Sequence, residues 1–266
     1  MKDGFALKAV FGLIMLLAMV SALSGQEKKD LYLCRAILLQ KPAPITIDGD
    51  LSDWEGLDVE VHPIENVCTS SGGGTTKFAR PTGDADLSAN FMCLADLHNF
   101  YVAVSVNDDK IIFGEEPFGV AHEDDSIEVY FDGDLIPHPY QKGVIDYDAN
   151  DAEIRFSKKK DGTVVLEGMG LFGGSLFMFP GLWESLGIVA AIKENPRGYT
   201  AELKVPKGVF VSVPLKVGVK VGLNVMINDD DDGGARDSKI SWTADLGDES
   251  WQTTRYFGQL LIDRTE

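Results

Sequence analysis

Residues 222–251 read GLNVMINDDDDGGARDSKISWTADLGDESW, and this stretch decides the fold class. Val221–Ile227 is an aliphatic run of strand length. It enters four consecutive aspartates, Asp229–Asp232, and leaves through Gly233–Gly234 into a second run, Ile240–Thr243. Strand, polar turn and strand in that order predict an antiparallel pair. The same pattern recurs along the rest of the chain. Strands are expected near Ile45–Asp48, Val59–His62, Leu87–Ala95, Phe100–Asn107, Ser126–Asp132 and Ala152–Ser157. Others are expected near Thr163–Glu167, Ile188–Lys193, Tyr199–Val205, Lys220–Asn228, Lys239–Ala244 and Gly258–Asp263. In Ser126–Asp132 the alternation puts Asp125, Ile127, Val129 and Phe131 on one face and Ser126, Glu128, Tyr130 and Asp132 on the other. About a dozen short strands and almost no helical period predict an all-β fold, an antiparallel, jelly-roll-like β-sandwich. Leu166–Leu186, rich in Gly and apolar residues, reads as a packing loop.

The chain opens with Lys2, Lys8 and the apolar run Ala9–Val20, followed by the small residues Ser21–Ser24. A membrane span needs ~20 apolar residues, so residues 1–24 read as a cleaved signal peptide with no membrane insertion afterwards. Residues 25–40 read as an N-terminal tether and 41–266 as one sandwich domain, secreted, periplasmic or at the cell surface. With 24 Lys and Arg against 42 Asp and Glu, the net charge is −18. Such a surface repels nucleic acid and favours divalent cations or basic partners. Three cysteines allow one bridge, Cys68–Cys93, with Cys34 left over, or three unpaired buried thiols.

Trp54, after IDGDLSD, is expected to plug one end of the sandwich, and Trp242 to lie in the core. Trp251 sits in a polar loop where an exposed indole gains nothing unless it meets a flat ligand, and sugars fit such a platform. Asp148 and Asp151 in DYDAND, with Asp229 and Asp231 in the acidic loop, offer the oxygen ligands that calcium takes. Hydrated turns explain the same residues. Arg155 offers a planar fork of donors for hydroxyls, or pairs with Glu128 or Glu153. There is no HExxH, no G-x-S-x-G and no zinc spacing among His62, His98, His122 and His138. No enzyme is expected.

The pieces IDGDLSDW (47–54), DSIEVYFD (125–132), AEIRF (152–156), GYTAELKVP (198–206) and the closing GLNVMINDDD…SKISW…ESW…YFGQLLID together resemble carbohydrate-binding module family 9. These modules are appended to bacterial xylanases and bind xylan and cello-oligosaccharides. The resemblance implies a calcium-containing sandwich that holds a sugar's reducing end between two Trp side chains. Trp251 matches the family's last-loop Trp, Glu128 the Glu of its W-x-x-D-S-V-E motif, and Arg155 the Arg of its A-Q-F-R strand. The motif's Trp falls on His122, and a family Gln falls on Met226. The expected ligand-binding set is therefore Trp251, Arg155, Glu128, His122 and Asp125, recognising plant-type polysaccharide or oligosaccharide ends. A structural or adhesive surface domain meeting a protein partner, and an accessory domain of a glycoside hydrolase system, are the alternatives.

Overall fold

The computed structural model describes residues 32–72, 74, 76–114, 121–136, 143–172, 175–177, 181–209 and 214–266. The expected signal peptide and the first part of the tether lie outside these. Among the described residues, fourteen strands form one sheet. They are β1 (Leu33–Leu39), β2 (His62–Ile64), β3 (Asn66–Val67), β4 (Leu87–Asp96), β5 (Asn99–Asp108), β6 (Ser126–Asp132) and β7 (Asp151–Lys158). The remainder are β8 (Val164–Phe172), β9 (Ser175–Phe177), β10 (Val189–Asn195), β11 (Gly198–Pro206), β12 (Lys220–Asp229), β13 (Ser238–Ser241) and β14 (Gly258–Thr265). One helical turn, α1 (Leu182–Ser185), precedes β10.

The strand order is β10-β11-β5-β4-β1-β14-β12-β6-β7-β8-β9, with β2 on β4, β13 on β12 and β3 on β13. The sheet folds over so that β4, β5 and β11 face β6, β7 and β12 across a shared apolar core. Phe100 on β5 meets Phe131 on β6 with ring centroids 5.9 Å apart. The alternation accounts for this: Ile127, Val129 and Phe131 all point into the core. Burying each such side chain stabilises the fold by ~1.5–3 kcal/mol.

Three features correct the sequence reading. The sheet is mixed rather than purely antiparallel, because β1 pairs in parallel with both β14 and β4. Leu33–Leu39 is therefore a central strand and not tether; its Ala36, Ile37 and Leu38 are buried. Leu166–Leu186 is not a loop, since it contains most of β8 together with β9 and α1, whose Trp183 packs in the core. Ile45–Asp48 forms no strand.

All three cysteines are buried free thiols. Cys93 is held in the core of β4, whereas Cys68 sits on the opposite face of the fold and reaches the Asp245 carbonyl oxygen at 3.2 Å, so no Cys68–Cys93 bridge forms. Trp242 is core, as expected. Trp54 is also buried, but against the outer face of β4 and β5 with Leu94, Tyr101 and Ala103 rather than at the sandwich end. Its Nε1 donates to Glu202 Oε1 at 2.8 Å.

Candidate functional site

The outer face of β6, β7, β12 and β13 is covered by a second, smaller cluster of Cys68, Tyr130, Tyr147, Met226 and Phe257, with Phe78, Ile145 and Trp251 packed on it. At its margin a pocket of about 290 Å³ opens. Sheet register builds the floor. Glu128 stands opposite Arg155 and Tyr130 opposite Glu153 across β6 and β7, and Glu153 stands opposite Met169 on β8. Lys239 joins from β13, while loops supply Ser71, His122, Arg236, Asp248 and Trp251.

The floor is a buried lattice of opposite charges. Lys239 Nζ donates to Glu128 Oε2 and, at 2.6 Å, to Asp248 Oδ1. Arg236 Nη2 donates to Asp248 Oδ2 at 2.9 Å, and its Nη1 to Asn228 Oδ1 at 2.6 Å. The guanidinium carbon of Arg236 lies 4.8 Å from the centroid of the Phe78 ring. Arg155 Nη1 donates to Glu153 Oε1 at 2.9 Å, and Nη2 to Glu167 Oε2 at 3.1 Å. Glu128 also accepts from Tyr130 Oη at 2.5 Å and from Asn228 Nδ2 at 2.9 Å.

Electrostatics follow from this packing. Burial alone would push Glu128 up, yet Lys239, Arg236 and Arg155 hold it well below the usual carboxylate range. Glu153 is pushed up to about 7 by burial, with Arg155 opposing and the Glu128 charge adding to the rise. His122 is lowered by burial and by Arg155 and Arg236, which keeps its ring neutral near pH 7.

Three polar atoms in this pocket are buried without a hydrogen-bond partner: Arg155 Nε, Glu153 Oε2 and His122 Nδ1. They comprise one donor, one acceptor and one ring nitrogen, the set a sugar hydroxyl satisfies by donating and accepting at once. Such orphans are uncommon in native folds, and an ordered water, an ion or a ligand is what satisfies them. Trp251 forms an apolar wall and is partly buried rather than held on an exposed tip. Gly72 backs onto it so closely that a Cβ there would lie 3.0 Å from the indole Nε1.

Of the expected ligand-binding set, Trp251, Arg155, Glu128 and His122 meet in this pocket. Asp125 does not line it. The alternation that aims Glu128 at the pocket turns Asp125 away, and it lies fully buried beside Asp108 and Asp229. One carboxylate oxygen from each of these three falls within 4.8 Å of the others. Burial and the neighbouring Asp108 raise Asp125 to about 9; burial also raises Asp229 to about 7. Asp231 belongs to a separate, more exposed trio with Asp86 and Asp109. Asp148 and Asp151 belong to no such trio among the described residues. Asp151 Oδ2 instead accepts from the Asp148 amide at 2.7 Å, closing the turn before β7.

Sequence reasoning missed Glu153 as a pocket residue, and with it Arg236, Lys239 and Asp248. Strand alternation carried a usable signal for Lys239, since Ile240 beside it faces the core. Arg236 and Asp248 are loop-borne and carry no periodic signal.

The family description "Carbohydrate family 9 binding domain-like" matches residues 73–264. The chain belongs to this carbohydrate-binding family. Family 9 modules are non-catalytic, so the domain binds carbohydrate and is not an enzyme. The chain is 26% identical over 235 residues to exoglucanase XynX of Acetivibrio thermocellus, covering 85% of this chain and 18% of that protein. It is 27% identical over 141 residues to endo-1,4-beta-xylanase A of Thermoanaerobacterium saccharolyticum, covering 53% of this chain and 10% of that enzyme. The chain thus spans less than a fifth of either relative. Among solved structures, a family 9 module from Caldicellulosiruptor kristjanssonii in complex with cellotriose is similar, with a TM-score of 0.59 at 17% identity, over 87% of this chain and 95% of that one. A family 9 module from the same organism in complex with glucose also has a TM-score of 0.59, at 18% identity. At such identity the likeness concerns the family 9 fold.

Proposed function

We propose that this family 9 domain is an exported module that captures the ends of plant-type polysaccharides or oligosaccharides in the Trp251 pocket. The observation that carries the reading is the convergence of three unpartnered buried polar atoms, on Arg155, Glu153 and His122, beside an apolar indole wall. The sugar ring stacks on Trp251 while its hydroxyls satisfy those atoms. Glu128 anchors the floor through Lys239 and Tyr130. With His122 in the position of the family's first Trp, one aromatic wall does most of the stacking. A single stacked face contributes ~1–3 kcal/mol, by analogy with nucleobase stacking. Affinity is accordingly modest, in the micromolar to millimolar range.

The exoglucanase and xylanase relatives support β-linked plant glycans as the ligand class, and cellotriose and glucose are the sugars held in the two similar solved structures. The basic and apolar opening of the chain supports export. Isothermal titration with cello- and xylo-oligosaccharides tests the reading. Binding by the full chain that disappears in Trp251→Ala supports it, and unchanged binding in that variant removes the site.

A further inference from the structure

Beside the Trp251 pocket lies a second depression, a groove of about 580 Å³ lined by Cys68, Thr69, Ser70, Lys77, Phe78 and Arg80. Both charged side chains in it are cations, and no carboxylate lines it, although the chain carries a net charge of −18. Lys77 and Arg80 are exposed, and neither has an ion-pair partner among the described residues. Carboxylates in the bordering loops are already engaged. Asp245 accepts from the Glu249 and Ser250 amides, and Asp248 from Lys239 and Arg236. Asp237 Oδ2 accepts from the Asp231 amide at 2.8 Å. The groove therefore presents positive charge that no neighbouring carboxylate neutralises, and an anionic ligand group complements it.

The backbone that carries the two cations is fastened to the rest of the fold. The Cys68 amide donates to the Lys239 carbonyl at 2.9 Å and the Thr69 amide to the Leu246 carbonyl at 2.8 Å. Closer to the cations, the Ser71 amide donates to the Thr76 carbonyl at 3.0 Å and the Ala79 amide to the Asp237 carbonyl at 2.8 Å. The groove and the Trp251 pocket also share a wall. Phe78 lines the groove, Arg236 lines the pocket, and the guanidinium carbon lies 4.8 Å from the ring centroid. Ser70 lines the groove and Ser71 the pocket, and Ser71 Oγ accepts from Arg236 Nη2 at 3.2 Å. We propose that Lys77 and Arg80 form an acidic-sugar subsite, which takes the carboxylate of a uronate residue adjoining the sugar stacked on Trp251. This rests on the sugar-binding reading above. The guanidinium of Arg80 offers a planar fork that matches a carboxylate, and Lys77 adds a second positive charge. Phe78 offers the uronate ring an apolar surface, and the Thr69 and Ser70 hydroxyls offer it hydrogen-bond partners. Exposed ion pairs are individually weak and screened by salt, so the subsite adds a modest, salt-sensitive preference for acidic glycans over neutral ones.

The test titrates the full chain with three probes: xylotriose, xylotriose bearing a glucuronic acid branch, and the methyl ester of that branched sugar. The ester keeps the shape of the branch and removes its charge. At low salt the acid is expected to bind about three- to tenfold tighter than either neutral probe. Raising the salt to about 0.5 M is expected to bring that ratio close to one. The double variant Lys77→Gln/Arg80→Gln is expected to bring it close to one at low salt as well, and each single variant part of the way. Both positions are exposed, so the variants keep the fold. Equal affinity for the acid and its ester, or weaker binding of the acid, overturns the subsite and leaves the sugar reading intact. A preference for the acid that survives in the double variant overturns the assignment to Lys77 and Arg80. Failure of the chain to bind any of the three probes, or cellotriose, instead overturns the sugar reading, and the subsite with it.

Discussion

Lys239 Nζ lies 2.6 Å from Asp248 Oδ1, and both side chains are only 1% exposed. With Glu128 on the other side of the ammonium, the pocket floor is an ion triad sealed from water. Burial opposes the charge on Lys239, but Asp248 and Glu128 more than offset it and keep its pKa above the ordinary value. Removing Lys239 leaves Glu128 and Asp248 buried with only Arg236 and Arg155 to oppose them, and breaking such a buried set costs about 3–5 kcal/mol. Lys239→Met is therefore expected to lower stability by that amount in urea unfolding. A loss below about 1 kcal/mol would show that the triad is not closed to solvent.

The two indoles that pack outside the main core, Trp54 buried and Trp251 half-buried, predict opposite outcomes. Trp251→Ala is expected to weaken oligosaccharide binding about 5- to 150-fold, the equivalent of ~1–3 kcal/mol of stacking. Trp54→Phe leaves Glu202 Oε1 without its indole donor and is expected to cost ~1–3 kcal/mol of stability while affinity stays unchanged. Titration calorimetry and thermal melts on both variants separate a ligand wall from a flank of the fold.

Glu153 gives a pH signature. Its carboxyl is raised from 4.5 to about 7 chiefly by burial, with the Glu128 charge adding to the rise and Arg155 opposing it. A raised carboxyl favours the fold fully below its unfolded value, and that contribution is lost as pH climbs from about 4.5 to about 7. Glu153→Gln removes the titration. The variant should gain on the parent as pH rises through that window, by up to ~3 kcal/mol. Parallel unfolding curves for the two proteins from pH 5 to 8 would rule this out.

Gly168 on β8 has φ +128°, and a Cβ there would come within 2.0 Å of the Glu153 carbonyl oxygen. Gly168→Ala must push β8 away from the strand that carries Glu153 and Arg155. We expect a loss of more than ~2 kcal/mol together with weakened sugar binding, measured by melting and titration. Gly208→Ala, where nothing lies within 4 Å, serves as the neutral control.

How much was legible depends on where each residue stands. Ser126–Asp132 and Tyr199–Val205 alternate cleanly, and the strands found there match the reading to within a residue or so. Strand β1, LCRAILL, was not legible as part of the sheet. Ala36, Ile37 and Leu38 are buried in succession, so the period-two signal of a one-sided strand is absent. The glycines of β8 resemble a loop because Gly168 is needed for close approach to β7, a tertiary fact invisible in the local pattern. In the site, Glu128 and Arg155 were reachable through strand register and family resemblance, and register now shows them face to face. Arg236 and Asp248 are brought in by loops closing from far along the chain, and no local rule points to them. Asp125 was placed in the ligand set, but a single residue of strand phase moves it from the pocket to the carboxylate trio.

The seam between β1 and β14 bears on how the chain acquires its structure. The first and last strands of the described residues lie side by side in the middle of the sheet, and the Gln40 amide is closed onto the Glu266 carbonyl at 3.0 Å. A growing or partly threaded polypeptide lacking residues 258–265 therefore has two half-sheets and no bridge between them. Without the final strand the halves can meet only through the packing of their apolar faces, and no hydrogen-bonded seam holds them in register.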